Sequence, residues 1–201
     1  MGKYDIAPTY NAVVIGGSAG SFQPITDILA NIPASFPLPI FLCLHRLKHV
    51  KRGFVEALSI KSNKPVSEPY DKENVKQGHV YLAPANYHMC LEDGPQVSLS
   101  TEPLVNNSRP SINLSMESAA SVYQKKLIGI LMSGANKDGA EGMAFIKRYG
   151  GIAVVQDPED SMINTMPSAA LAATEIDYAL SAEEIVVFLQ HLAQGYGDVK
   201  I

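Results

Sequence analysis

The chain has 201 residues, a length that suits one domain with a single sizeable core. Hydrophobic residues make up 46% and charged residues 18%, which excludes a disordered or heavily solvated chain. Sixteen Lys and Arg against twenty Asp and Glu leave a net charge of -4, the wrong sign for a surface built to neutralise phosphates, so nucleic acid is not an expected partner.

Met1 to Asn11 lacks the apolar core of a signal peptide, and no window approaches the roughly 20 apolar residues that span a bilayer. A cytoplasmic chain without membrane insertion is expected. Ala12 to Ile15 is a short apolar run ending in Gly16-Gly17, the pattern of a buried strand that breaks into a glycine turn. Phe22, Ile25, Ile28 and Leu29 then fall at helical spacing within Phe22 to Asn31. Ile40 to Leu44 is a second buried strand, and Gly53 to Lys61 a second helix. Cys43 sits inside that second strand as a small hydrophobe, and Cys43 with Cys90 is too few for a disulfide framework. Gly78 to Ala83 reads as a strand, followed by a hairpin of Tyr87 to Leu91 and Val97 to Leu99 around Glu92-Asp93-Gly94-Pro95.

Pro110 opens a helical stretch from Ser111 to Tyr123, after which Leu127 to Met132 is a buried strand. Ala140 to Tyr149 is helical and stops at Gly150-Gly151; Ile152 to Val155 is the next buried strand. Pro167 suits the first turn of a helix running to Ala173. Tyr178 to Leu180 is a last short strand, and Ser181-Ala182-Glu183-Glu184 has the form of a capping box ahead of a closing helix to Leu192. This alternation predicts a single doubly wound α/β domain, its mostly parallel sheet flanked by helices, with a small antiparallel hairpin insertion.

In such sheets ligands bind beyond the carboxyl ends of the strands, near the point where strand order reverses. The loops there carry Ser18 after the first strand, His45 after the second and Asp138 after Leu127 to Met132. Each has a plain reading as well: Ser18 as a turn residue or helix cap, His45 as a surface histidine, Asp138 as the cap of the helix that follows. Together they form a set with one chemistry. A serine hydroxyl needs a base to become nucleophilic, a neutral imidazole supplies it, and a buried carboxylate fixes the imidazole's tautomer and steadies its charged form. Backbone amides beside Ser18 and the helix end at Ser21-Phe22 would favour an oxyanion, so acyl transfer is the natural reaction class. A nucleotide-binding turn fails on spacing, since G-x-G-x-x-G would need glycine at Ser18 and Ser21. Gly16-Gly17-Ser18-Ala19-Gly20 matches the α/β-hydrolase elbow in form, but that fold places its acid before its histidine, and here His45 precedes Asp138.

The chain resembles the catalytic domain of the CheB-type chemotaxis protein-glutamate methylesterase family over about residues 12 to 192. The resemblance rests on Ile15-Gly16-Gly17-Ser18-Ala19-Gly20, Leu44-His45, Tyr81-Leu82-Ala83-Pro84 with His88-Met89, and Arg109-Pro110-Ser111. Gly134 with Asp138-Gly139-Ala140-Glu141-Gly142-Met143, Gln156-Asp157 and Met166-Pro167-Ser168-Ala169-Ala170 complete it. It implies a Ser18, His45, Asp138 triad hydrolysing glutamate methyl esters on chemoreceptor-type proteins, and in some members deamidating glutamine. It also implies a methylated receptor as substrate, with a methyltransferase or a separate response regulator as partner. Ala19 and Ala135 are expected to shape the oxyanion site and His88 the substrate groove, although a structural histidine is the plainer reading of His88. Asp157 is expected to fix a loop near the site.

The sequence departs from the family pattern at Ala19, Ser21, Asn113 and Gly134-Ala135-Asn136, where Thr, Gly, Asp and Gly-Met-Gly are usual. Asn136 suits a positive φ, which would preserve a reshaped oxyanion hole. These changes keep two alternatives open: a catalytically weak binding or signalling module, and a small-molecule esterase. His49, His79 and His191 have no partners at metal-ligand spacing, so neither metal nor other cofactor is expected. Lys48, Lys51 and Arg52 form a small basic cluster that could face an acidic receptor helix. With the first strand about ten residues in, a stand-alone catalytic domain is expected, its basal activity independent of a phosphodonor.

Overall fold

In the computed structural model, which describes residues 10–46 and 53–195, the first apolar run becomes β1 (Ala12–Gly17), buried along its whole length. Then follow α1 (Phe22–Asn31), β2 (Ile40–Leu44), α2 (Phe54–Lys61), β3 (Val66–Ser67) and β4 (Val80–Leu82). The hairpin is β5 (His88–Glu92) and β6 (Gln96–Ser100), paired antiparallel. The second half runs α3 (Ile112–Tyr123), β7 (Leu127–Leu131), α4 (Ala140–Arg148), β8 (Ile152–Gln156), α5 (Thr165–Ala173), β9 (Tyr178–Leu180) and α6 (Ala182–Gly195). The basic cluster at Lys48, Lys51 and Arg52, with His49, lies outside the described residues.

The seven parallel strands are ordered β3-β4-β2-β1-β7-β8-β9. β2, β4 and β3 lie in that order outward on one side of β1, and β7, β8 and β9 on the other, so the reversal falls between β1 and β7. That is the crevice the doubly wound reading selects for a ligand. Because successive strand residues face opposite sides, β1 divides the core in two. Val13 and Ile15 meet α1, α2 and α6 through residues such as Ile28, Leu58 and Phe188. Ala12 and Val14 meet α3, α4 and α5 through Met116, Met143 and Met166, and the hairpin adds Met89, Leu91 and Val97 to that side.

Local signals that end the helices do so where expected. Ser181 and Glu184 exchange bonds at the start of α6, the Ser181 N–H donating to Glu184 Oε2 at 3.1 Å and the Glu184 N–H to Ser181 Oγ at 3.2 Å. Gly151 donates to the Ile146 carbonyl at 2.9 Å, closing α4. The edge strand β3, only two residues long, is the one sheet element with no apolar run to announce it. No helix of the described residues is long and apolar enough to cross a membrane.

Strand β7 packs so closely under α4 that a Cβ at Gly129 would sit 2.2 Å from Ile146 Cδ1. Gly129→Ala is therefore expected to lower stability by roughly 1–3 kcal/mol, as overpacked cores do, which a fall in the urea midpoint at unchanged slope would register.

Candidate active site

Ser18 leaves β1 at its carboxyl end. Its N–H donates to the Ser133 carbonyl at 2.9 Å, and its own carbonyl accepts from Ser21 Oγ at 2.7 Å and Ser21 N at 3.1 Å, folding the loop into α1. Gly20 makes that turn at φ +84, and a Cβ there would lie 2.7 Å from both Ser133 Oγ and Met162 Cβ, so only glycine fits. Ser133 is wholly buried and ties three loops together. Its hydroxyl donates to the Ala19 carbonyl at 2.8 Å and accepts from Ile163 N at 2.9 Å, while its N–H donates to Gln156 Oε1 at 3.0 Å.

His45 leaves β2 beside this loop, its backbone N–H donating to the Gly17 carbonyl at 3.1 Å. Its Nε2 lies 2.8 Å from Asp138 Oδ2. The imidazole is 13% exposed and the carboxylate 0%, so the pair opens to the surface only through the ring. Asp138 does not cap the helix that follows it; Gly139 holds that position. Its carboxylate instead faces the start of α3, accepting from Ile112 N at 2.7 Å, Asn113 N at 3.2 Å and Ser111 Oγ at 3.1 Å. Burial opposes its ionisation, yet the bonds from His45, Ile112 and Asn113 outweigh that and hold the carboxyl below the usual carboxylate range.

With a carboxylate on Nε2, the proton of the neutral ring belongs there and Nδ1 is left to accept one. Nδ1 lies 3.5 Å from Asn136 Nδ2, and Asn136 Oδ1 in turn accepts from Asp138 N at 3.1 Å. Asn136 does not adopt the positive φ its residue type permits. Among the described residues no hydrogen bond joins the Ser18 hydroxyl to His45; the two share the wall of one cavity of about 560 Å³. Ala19, Arg46, Phe54, Leu104 and Arg109 also line it.

Of the three residues expected to shape the oxyanion site and groove, only Ala19 lies in that wall. Ala135 is exposed and His88 is fully buried away from the cavity. His88 accepts from Ser111 N at 3.2 Å on Nδ1, and its Nε2 lies 3.0 Å from the Pro103 carbonyl, so the ring clamps the segment after β6 to the start of α3. Asp157 turns its own loop, accepting from Glu159 N at 2.9 Å.

Sequence reasoning missed Arg46, Ser111 and Ser133 as parts of this site, and it read Asn136 as part of an oxyanion loop rather than as a neighbour of His45. The Arg46 side chain is 1% exposed, pairs with Glu68, donates to the Ala83 carbonyl at 2.6 Å and lies 5.4 Å from the centre of the Phe54 ring. Its adjacency to His45 was its only signal; the others became visible only when distant loops met. Among the described residues no group of three or more His, Cys, Asp or Glu is placed to hold a metal ion.

The folded-state value of Asp138 lies below the unfolded value of about 3.9, so its contribution to stability is present above that pH and lost as the pH falls through the folded value. Asp138→Asn is expected to lower stability at pH 7 by roughly 1.5–3 kcal/mol, the cost of hydrogen bonds to a charged group. It should also flatten the loss of stability on acidification below about pH 5, which urea unfolding across that range would measure.

A family profile described as CheB methylesterase matches residues 13–189. A Leptospira interrogans protein provisionally named protein-glutamate methylesterase/protein-glutamine glutaminase is 42% identical over 185 residues, covering 92% of this chain and 96% of that one. A Thermotoga maritima protein named protein-glutamate methylesterase/protein-glutamine glutaminase is 33% identical over 180 residues, and the match covers 51% of its length. The crystal structure of the Thermotoga maritima CheB methylesterase catalytic domain aligns with a TM-score of 0.86 at 32% identity, over 92% of this chain and 99% of that one. With the strand order, the crevice and the loops that meet there, these similarities show that the chain belongs to the CheB methylesterase family.

Proposed function

We propose that this chain removes methyl esters from glutamate side chains of receptor-type proteins, with Ser18 as nucleophile, His45 as general base and Asp138 as the acid that orients it. The observation that carries the reading is the buried Asp138 carboxylate on His45 Nε2, which leaves Nδ1 as the ring's proton acceptor beside the cavity that Ser18 shares. His45 Nδ1 takes the Ser18 proton as Oγ bonds to the ester carbon, and the resulting oxyanion meets the Ala19 amide in the cavity wall. Collapse breaks the bond to methoxide, which takes the proton from Nδ1 and leaves as methanol. Water, deprotonated by the same nitrogen, then releases the glutamate carboxylate and regenerates Ser18. The same steps with ammonia leaving would deamidate a glutamine, the second activity in the relatives' names.

The catalytic unit spans about residues 12–192 and acts in the cytoplasm on a receptor whose esters a methyltransferase must supply. The test is methanol release from methyl-esterified receptor membranes. Ser18→Ala and His45→Ala are each expected to remove nearly all turnover, and Asp138→Asn to slow it by on the order of 10⁴-fold. Wild-type rates from a folded Ser18→Ala protein would overturn the mechanism. Ser18-dependent hydrolysis of small esters without release from receptors would reassign the substrate.

A further inference from the structure

Asn136 stands two residues before Asp138 in the loop from β7 to α4, half-buried beside the imidazole. Its amide has one orientation consistent with its neighbours. Asp138 N, a donor, lies 3.1 Å from one end, so that end is Oδ1 and the NH₂ end is turned to His45 Nδ1 at 3.5 Å. An NH₂ group only donates, so this contact is a hydrogen bond only when Nδ1 presents its lone pair.

We propose that Asn136 is a positioning residue that holds His45 in the tautomer with its proton on Nε2 and its lone pair on Nδ1. Asp138 sets the tautomer of the neutral ring but does nothing to keep a second proton off Nδ1. A carboxylate on Nε2 favours a proton there but also stabilises the doubly protonated ring, whose Nδ1–H could accept nothing from Ser18. Asn136 supplies the missing selection, because its NH₂ opposes a proton on Nδ1. The 3.5 Å separation is at the outer limit of a hydrogen bond, so the contact gives way readily when the Ser18 hydroxyl approaches. The role rests on the assignment of His45 as base, but the tautomer is a property of the resting protein and is measured without turnover.

Asn136→Asp is the discriminating variant, since it keeps an acceptor for the Asp138 N–H and nearly the same shape while replacing the donor at Nδ1 with an acceptor. Protein labelled with ¹⁵N-histidine, observed by long-range ¹H–¹⁵N correlation in mildly alkaline buffer, should show His45 with a protonated Nε2 and an unprotonated Nδ1. In Asn136→Asp the Nδ1 resonance should move to the protonated range. Methanol release should fall by roughly 10²-fold or more, the direction of the loss seen when a triad histidine is held in the wrong tautomer. Asn136→Ala, which covers the case of a misfolded Asp variant, should shift Nδ1 part of the way. An Nδ1 resonance unchanged in both variants would overturn the role of Asn136. Full turnover by Ser18→Ala would overturn the nucleophile assignment separately.

Discussion

The site depends on a single buried carboxylate. Asp138 is shielded from water, yet it stays ionised because the opening turn of α3 aims two backbone N–H groups and the Ser111 hydroxyl at it. The positive end of a helix is a natural place for a negative charge, and these donors are among the ones a helix leaves unpaired at its start. The same contact therefore caps α3 and fixes the proton position on His45. Removing it would expose unpaired donors and release the imidazole together, which couples stability to the proposed catalysis at one residue.

This arrangement explains why the surrounding loops are held so firmly. Ser133 and Gln156 join the ends of β1, β7 and β8, so the Ser18 loop is braced against the strand that delivers Asp138. His88 ties the segment after the hairpin to Ser111, steadying the helix start that stabilises the carboxylate. Arg109 adds to this brace, donating to Asn86 Oδ1 at 2.9 Å and to the Glu102 carbonyl at 2.7 Å. The proposed triad chemistry tolerates little displacement of its members, and the bracing puts rigidity behind the cavity wall.

In the proposed mechanism the imidazole works in the opposite sense from the familiar serine-protease arrangement, where the carboxylate holds Nδ1 and the serine meets Nε2; here the carboxylate holds Nε2. Nothing in the chemistry prefers one sense, because the two nitrogens of a neutral ring exchange roles when the proton moves. What decides is the direction from which each partner arrives. Here the acid comes from the loop after β7, and that side of the ring faces it through Nε2.

Much of the fold was legible in the sequence because each signal was local. Short apolar runs ending in glycine marked β1, and a capping box marked the start of α6; both depend on residues a few positions apart. That the three loops meet was legible for a topological reason: strands of a doubly wound sheet point their carboxyl ends one way, so the loops bearing Ser18, His45 and Asp138 had to share an end. The two-residue β3 escaped notice because pairing with β4, and no apolar pattern of its own, makes it a strand. The partners of Asp138 and the stapling role of Ser133 were equally hidden. Which helix start faces Asp138, which ring nitrogen it holds, and whether Ala135 or His88 reaches the cavity depend on side-chain directions between residues far apart in the chain. Such directions are set by packing across the sheet, to which local pattern contributes nothing.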